Sequence, residues 1–260
     1  MFFVFLLAGL LIGSFLNVCI YRIPRHLSVV SPARSYCPEC KRELTWWENI
    51  PVISWLILNG KCRGCKNKIS GRYPFIEILS CIAGGASFLH FGATPTGVLI
   101  YALLAALIVI TFIDLEFKII PNVISYPGMI IGLCVGIVSQ FYPVFAWPIT
   151  TGATDSLLGF LIGGGFFYAI AVMYYFWTGN VGLGGGDIKL MGMTGALLGW
   201  ESVGPTIFAG AVSGAVVGIL VMLIQGTGRK TEIPFGPWLS LGAVLYVFVN
   251  LPFFRFDLLY

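Results

Sequence analysis

The 260-residue chain is 58% hydrophobic and only 10% charged, with a mean hydropathy of +0.92. Soluble domains are roughly 45–50% apolar, so this composition excludes one and predicts an integral membrane protein whose first partner is the lipid bilayer. The net charge of +4 forms no basic patch on a soluble domain, so no nucleic-acid partner is expected and the lysines and arginines report topology instead.

Seven or eight apolar stretches follow in order, judged against the about 17–25 residues that a span requires. Phe2–Tyr21 lacks a basic leading region and runs directly into Arg22-Ile23-Pro24-Arg25, which reads as a permanent helix rather than a cleaved signal. A polar loop of 51 residues, 22–72, comes next. Then follow Tyr73–Phe91, Val98–Ile113, Val123–Phe141, Leu157–Trp177, Ile188–Trp200, Val203–Ile224 and Pro237–Phe254. The sixth, at 13 residues, would reach only about 20 Å at 1.5 Å per residue, which suits a thin span or a re-entrant helix.

Charge sets the orientation. Ten of the 15 lysines and arginines lie between Arg22 and Arg72. With alternating loops, Lys118, Lys189, Arg229 and Lys230 fall on the same side, and Arg255 alone falls opposite. Basic residues concentrate on the cytoplasmic side of short loops, so the N-terminus is expected outside and the 22–72 loop inside. Eight crossings keep this asymmetry; a sixth stretch that did not cross would break it.

Within the loop, Cys37-Pro38-Glu39-Cys40 and Cys62-Arg63-Gly64-Cys65 are separated by 21 residues. Paired Cys-x-x-Cys units at this spacing suit a closed four-thiolate zinc cage, which is structural rather than catalytic. A reducing cytoplasm disfavours disulfides. A redox dithiol pair and unpartnered exposed thiols remain as alternatives. Cys19, Cys81 and Cys134 lie in helical stretches and read as small apolar fillers.

Two acids stand at the edges of apolar stretches: Asp114 at the end of the third, and Asp187 at the start of the sixth, after the run Gly182-Leu183-Gly184-Gly185-Gly186. Under the charge topology both lie at the cytoplasmic face. Carboxylates at a membrane boundary are costly unless paired, solvated or used. Two that share a site do not both ionise cheaply, so one can activate water while the other polarises a carbonyl. The structural alternative pairs Asp187 with Lys189 and Asp114 with Lys118. Gly184, Gly185 and Gly186 would supply a permissive backbone leading into a helix N-terminus. Elsewhere, Gly128, Gly132 and Gly136, like Gly210, Gly214 and Gly218, have the spacing of close helix packing. A cation or proton transporter and a scaffold that docks partners through its zinc loop are the readings from other classes.

These motifs, taken together and in order, resemble the prepilin peptidase family, the polytopic GxGD-type aspartic proteases of type IV pilus and type II secretion systems. The resemblance is carried by Gly13-Ser14-Phe15-Leu16-Asn17-Val18, Tyr21-Arg22-Ile23-Pro24, the cysteine pairs, Glu48-Asn49-Ile50-Pro51-Val52-Ile53-Ser54-Trp55, Ile69-Ser70-Gly71-Arg72-Tyr73-Pro74, Ile113-Asp114-Leu115-Glu116 with Ile120-Pro121-Asn122, Gly184-Gly185-Gly186-Asp187-Ile188-Lys189-Leu190 and Ile233-Pro234-Phe235-Gly236-Pro237. It implies cleavage of the basic leader of prepilins and pseudopilins at the cytoplasmic face of the bacterial inner membrane, with Asp114 and Asp187 as the catalytic pair. It also implies N-methylation of the new N-terminus with S-adenosylmethionine, for which Trp46, Trp47, Glu48 and Asn49 are conceivable contributors; an interfacial aromatic anchor beside a solvated acid is the alternative. Glu116 and Asn122 stand where many members carry further aspartates.

The expected architecture is an all-α polytopic membrane protein of about eight transmembrane helices. Its parts are a first helix at 1–21, a cytoplasmic zinc-binding loop at 22–72 and an aspartic protease core at 73–260.

Overall fold

In the computed structural model, residues 1–32, 34–180, 184–225 and 234–249 are described. Among them the secondary structure is helical, apart from two isolated bridges, Tyr36 with Glu43 and Lys61 with Lys68. The helices are α1 (Phe2–Arg22), α2 (Ile53–Ile57), α3 (Arg72–Phe91), α4 (Pro95–Phe117), α5 (Asn122–Phe141), α6 (Ala153–Thr178), α7 (Gly185–Leu198), α8 (Val203–Gln225) and α9 (Gly236–Phe248). An all-helical answer is what lipid demands, because a helix satisfies its backbone polar groups internally.

Among the described residues, six segments are long and apolar enough to cross a membrane: Phe2–Arg25, Arg72–Phe91, Pro95–Phe117, Asn122–Phe141, Ala153–Thr178 and Trp200–Ile224. The sixth apolar stretch of the sequence becomes α7, 14 residues long. The eighth becomes α9, 13 residues long, and its expected continuation through 250–254 lies outside the described residues, as do Arg229, Lys230 and Arg255. The third stretch is longer at both ends than hydropathy alone suggests, so Asp114 falls inside the last turn of α4. Lys118, with φ of 55°, then ends the helix, its N–H bonded to the Asp114 carbonyl. Pro121 cannot sit in mid-helix and leaves an extended entry to α5.

The chain packs as two compact units, Met1–Val109 and Ile110–Tyr260. In unit 1, α1 lies against α3. Gly13 makes this approach possible, since a Cβ there would meet the Glu77 Cα at 2.7 Å. The loop is tied to the helix pair by Arg22, which donates to the carbonyls of Ser28 and Pro32 at 3.0 Å each, and by Val52 N–H, which donates to Glu77 Oε2 at 2.7 Å.

In unit 2, α7 packs against α5, α6 and α9. Every residue from Leu190 to Leu198 is buried. Gly132 brings α5 within reach of the Ala196 backbone, and Gly159 on α6 touches Gly195 on α7. The surrounding helices turn Ile130, Leu161, Phe208 and Val216 outward, an apolar surface of the kind that lipid solvates.

Candidate active site and metal centre

Three helix ends meet around Asp114: the C-terminal turn of α4, the start of α7 and the start of α9. Asp114 is 6% exposed and Asp187 is 9% exposed. The Gly236 N–H, at the start of α9, donates to Asp114 Oδ2 at 3.0 Å. The first amides of a helix have no internal partner and carry the positive end of its dipole, so this is a natural seat for a carboxylate. Asp187 stands in the first turn of α7 and therefore enjoys the same field from its own helix. The Asp114 charge acts directly on Asp187.

Ile120 fills the space between the helix starts. A Cβ on Gly186 would lie 2.9 Å from the Ile120 Cβ, and one on Gly236 would lie 3.3 Å from its Cδ1 and 2.6 Å from Asp114 Oδ2. Gly184 is extended (φ −67°, ψ 131°) and its carbonyl accepts the Asp187 N–H at 3.1 Å. Gly185 is the first residue of α7. Gly182, Leu183 and Ile233 lie outside the described residues.

Lys189 does not turn back to Asp187 as the structural alternative had it. Its Nζ donates to Asn122 Oδ1 at 2.7 Å and lies over the Tyr126 ring, joining α7 to the start of α5. The reason is geometric: two residues along a helix is about 200° of rotation, so positions 187 and 189 face opposite ways.

The four loop cysteines converge. The sulfurs of Cys37, Cys40, Cys62 and Cys65 all lie within 4.8 Å of one another, and this group could hold a metal ion. A tetrahedral zinc–thiolate cage, with bonds of about 2.3 Å, would place its sulfurs about 3.8 Å apart; Cys37 and Cys65 stand at 3.9 Å. The two halves repeat one knuckle. Lys41 N–H returns to the Cys37 carbonyl and Lys66 N–H to the Cys62 carbonyl, with φ of 58° and 62° at the two lysines. The Cys65 N–H, helped by that of Gly64, holds the Cys62 thiol down to about 6, while, against the Asn67 N–H, burial and the neighbouring cysteines push Cys65 up to about 11, so the cluster favours one thiolate, at Cys62, first.

Of the loop residues singled out beside the cysteines, Glu48 is occupied. Arg42 grips both its oxygens, and the backbone and hydroxyl of Thr45 donate to one of them. Trp46 is 81% exposed. Sequence reasoning passed over Asp155, whose Oδ2 takes Thr150 Oγ1 and Thr151 N–H while Oδ1 takes Trp200 N–H. Its position at a helix start was the available signal, and its role is to close the loop ends of unit 2. Gly236 was legible as part of a motif but not as the partner of Asp114.

A paired-carboxylate site joined in one chain to a four-cysteine module defines a class of protein before any comparison: a polytopic membrane protein with the makings of an aspartic hydrolase. Residues 7–91 match the model of the bacterial Peptidase A24 N-terminal domain, and residues 101–219 match that of the type IV leader peptidase family. A prepilin leader peptidase/N-methyltransferase from Burkholderia pseudomallei is 34% identical over 95% of this chain and 84% of its own length. Another of that name from Pseudomonas aeruginosa is 32% identical over 91% and 86%, and one from Myxococcus xanthus is 40% identical over 88% and 66%. The chain belongs to the type IV leader peptidase family. No solved structure gives a significant match.

Proposed function

We propose that this protein is a membrane aspartic endopeptidase that removes the basic leader from type IV prepilins and pseudopilins and N-methylates the residue so exposed. The observation that carries the protease reading is the pair itself: Asp114 and Asp187, both buried, electrostatically coupled and seated at helix N-termini. In such a pair the ionised carboxylate takes a proton from water, whose oxygen attacks the scissile carbonyl carbon. The protonated partner donates to the carbonyl oxygen, and a proton then leaves with the new amine. The Gly236 N–H engages one oxygen of Asp114 and leaves the other for this work.

The relatives' names supply the substrate and the second activity. Position fits the substrate: the strongly basic 22–72 loop and the charge asymmetry support a cytoplasmic-face location for the acids, where a prepilin passes from cationic leader to apolar helix. The four thiols suit a structural zinc ion, whose cage has no open position for chemistry. S-adenosylmethionine would supply the methyl group. Functionally the chain divides into a first helix (1–21), the zinc loop (22–72) and the protease core (73–260).

Mass spectrometry of a co-expressed prepilin reports both activities at once, as a cut after the basic leader and a mass gain of one methyl on the new N-terminus. Asp114→Asn and Asp187→Asn should each abolish the cut; full cleavage by either variant would remove the pair mechanism.

A further inference from the structure

The cysteine loop is polar in sequence, yet α2 within it turns Ile53, Leu56 and Ile57 outward, 55%, 60% and 65% exposed. Residues three and four apart share a helix face, so these form one apolar strip, which is costly to leave in water. The opposite face is fixed inward. Trp55 Nε1 donates to the Ile69 carbonyl at 3.1 Å, and a Cβ on Gly60, whose φ is 63°, would meet the Trp55 ring at 2.8 Å. The entry to α2 is fixed too: Val52 N–H donates to Glu77 Oε2 at 2.7 Å, and the Glu77 carboxylate also takes the Ser14 hydroxyl. At 1.5 Å per residue, Glu77 lies about 7.5 Å along α3 from Arg72, and Ser14 lies about 12 Å along α1 from Arg22. Both helices are long and apolar enough to cross a membrane, so α2 starts level with their apolar turns rather than beyond their ends. Over those turns α3 presents Phe75 and Ile78 outward, and the strip on α2 continues that surface.

Charge follows the helix at once. From Ile53 to Arg72 the chain carries Lys61, Arg63, Lys66, Lys68 and Arg72 and no acid. Lys61 and Lys68 face each other across the bridge that closes behind α2, and all three lysines are exposed. An apolar strip rimmed by cations is the chemistry of a helix that lies in the interface of an anionic leaflet. We propose that α2 is a foot that seats the cysteine loop in the adjoining lipid leaflet, with Ile53, Leu56 and Ile57 among the upper acyl chains and Lys61, Lys66 and Lys68 on the phosphates of anionic lipid. A prepilin helix is the rival occupant, but it would bring a cationic leader to the same lysines. The seat depends on the spans and the loop and not on the reaction.

The test uses the full-length, zinc-loaded protein in nanodiscs of equal parts phosphatidylcholine and phosphatidylglycerol. A photoreactive benzophenone amino acid replaces Ile57 or, as a reference on the outward face of α3, Ile82, and the irradiated protein is analysed by mass spectrometry. Both side chains are exposed, so the probe enters no packed interior. Lipid adducts are expected at both positions, with phosphatidylglycerol exceeding phosphatidylcholine at position 57 by about fivefold or more, the factor that one lysine near an anionic surface contributes. Lys61→Gln, Lys66→Gln and Lys68→Gln together should bring that ratio down to the one seen at position 82. Equal yields of the two lipids at position 57 with the lysines intact would overturn the headgroup contacts. Adducts at position 82 and none at position 57 would overturn the seat. A prepilin adduct at position 57 in co-expressing cells, in place of lipid, would overturn it in favour of the substrate.

Discussion

Gly236 restrains Asp114 twice, by donating its N–H to Oδ2 at 3.0 Å and by offering no Cβ where one would come within 2.6 Å of that oxygen. A methyl group there must push the carboxylate away from its donor. Losing one charge-assisted bond of about 1.5–3 kcal/mol corresponds to roughly a 10- to 150-fold drop. Gly236→Ala is therefore expected to lower kcat for prepilin cleavage by that order while the helical circular dichroism is unchanged; wild-type kinetics in the variant would mean that the bond does nothing for the reaction. Both acids were legible in the sequence because charge at the edge of an apolar stretch is conspicuous. Their fixing group was not, because the contact joins residues 122 positions apart through a backbone atom, and backbone atoms carry no sequence signature. Glu48 shows the same limit in the loop. Its Arg42 clamp holds the carboxyl down to about 2 against an ordinary 4.5. Because the folded value is depressed, the stabilisation is full above about pH 4.5 and fades as pH falls toward 2. The difference in loop stability between wild type and Glu48→Gln, followed by tryptophan fluorescence, should be largest near neutral pH and close over that window. A difference that stays constant down to pH 2 would mean that the clamp is not electrostatic.

At the scale of elements, the sequence showed where helices lie and only part of how they pack. The Gly128, Gly132 and Gly136 stripe read as packing, and in the structure it faces Met193, Ala196 and Ser156. The complementary glycines, Gly159 and Gly195, have the same spacing, with Gly163 and Gly199 four residues on, and they make the tightest seam, between α6 and α7. Periodicity marks one face of a helix but not its partner. A methyl group at Gly159 would enter the Gly195 backbone, and overpacking of this kind typically costs about 1–3 kcal/mol. Gly159→Ala should lower the melting temperature of the detergent-solubilised protein by several degrees, whereas the same change at Gly165, which has nothing within 4 Å, should leave it unmoved. The cysteine loop makes a different demand. Its 51 residues cannot build much core, so metal binding supplies much of its folding free energy. Elemental analysis should find about one zinc per chain. Stripping it should expose 22–72 to protease while α5–α8 stay protected. A metal-free loop that resists protease equally well would remove the cage as a folding requirement.

For the molecule as a whole, the least legible quantity was the number of crossings, and the reason lies in α7. Hydropathy measures length and greasiness, and α7 is 14 residues long, about 21 Å at 1.5 Å per residue against about 30 Å of hydrocarbon. The structure shows why so short a helix is tolerated: its flanks are covered by α5, α6 and α9, so it need not match lipid along its own length. The starts of α7 and α9 both lie by Asp114, and one long helix, α8, runs between them. The chain must therefore travel away from the acids along α7 and return along α8. If the acids face the cytoplasm, the turn at Gly199–Ser202 belongs on the opposite side, as the distribution of lysine and arginine requires. Alkaline phosphatase fused after Gly199 should then be active, as should a fusion after Gly92, while a fusion after Lys118 should be inactive and the corresponding fluorescent-protein fusion bright. An inactive phosphatase after Gly199 beside an active one after Gly92 would make α7 a re-entrant helix. The basic residues at 229 and 230 would then have to reach the cytoplasm by a route other than a full crossing.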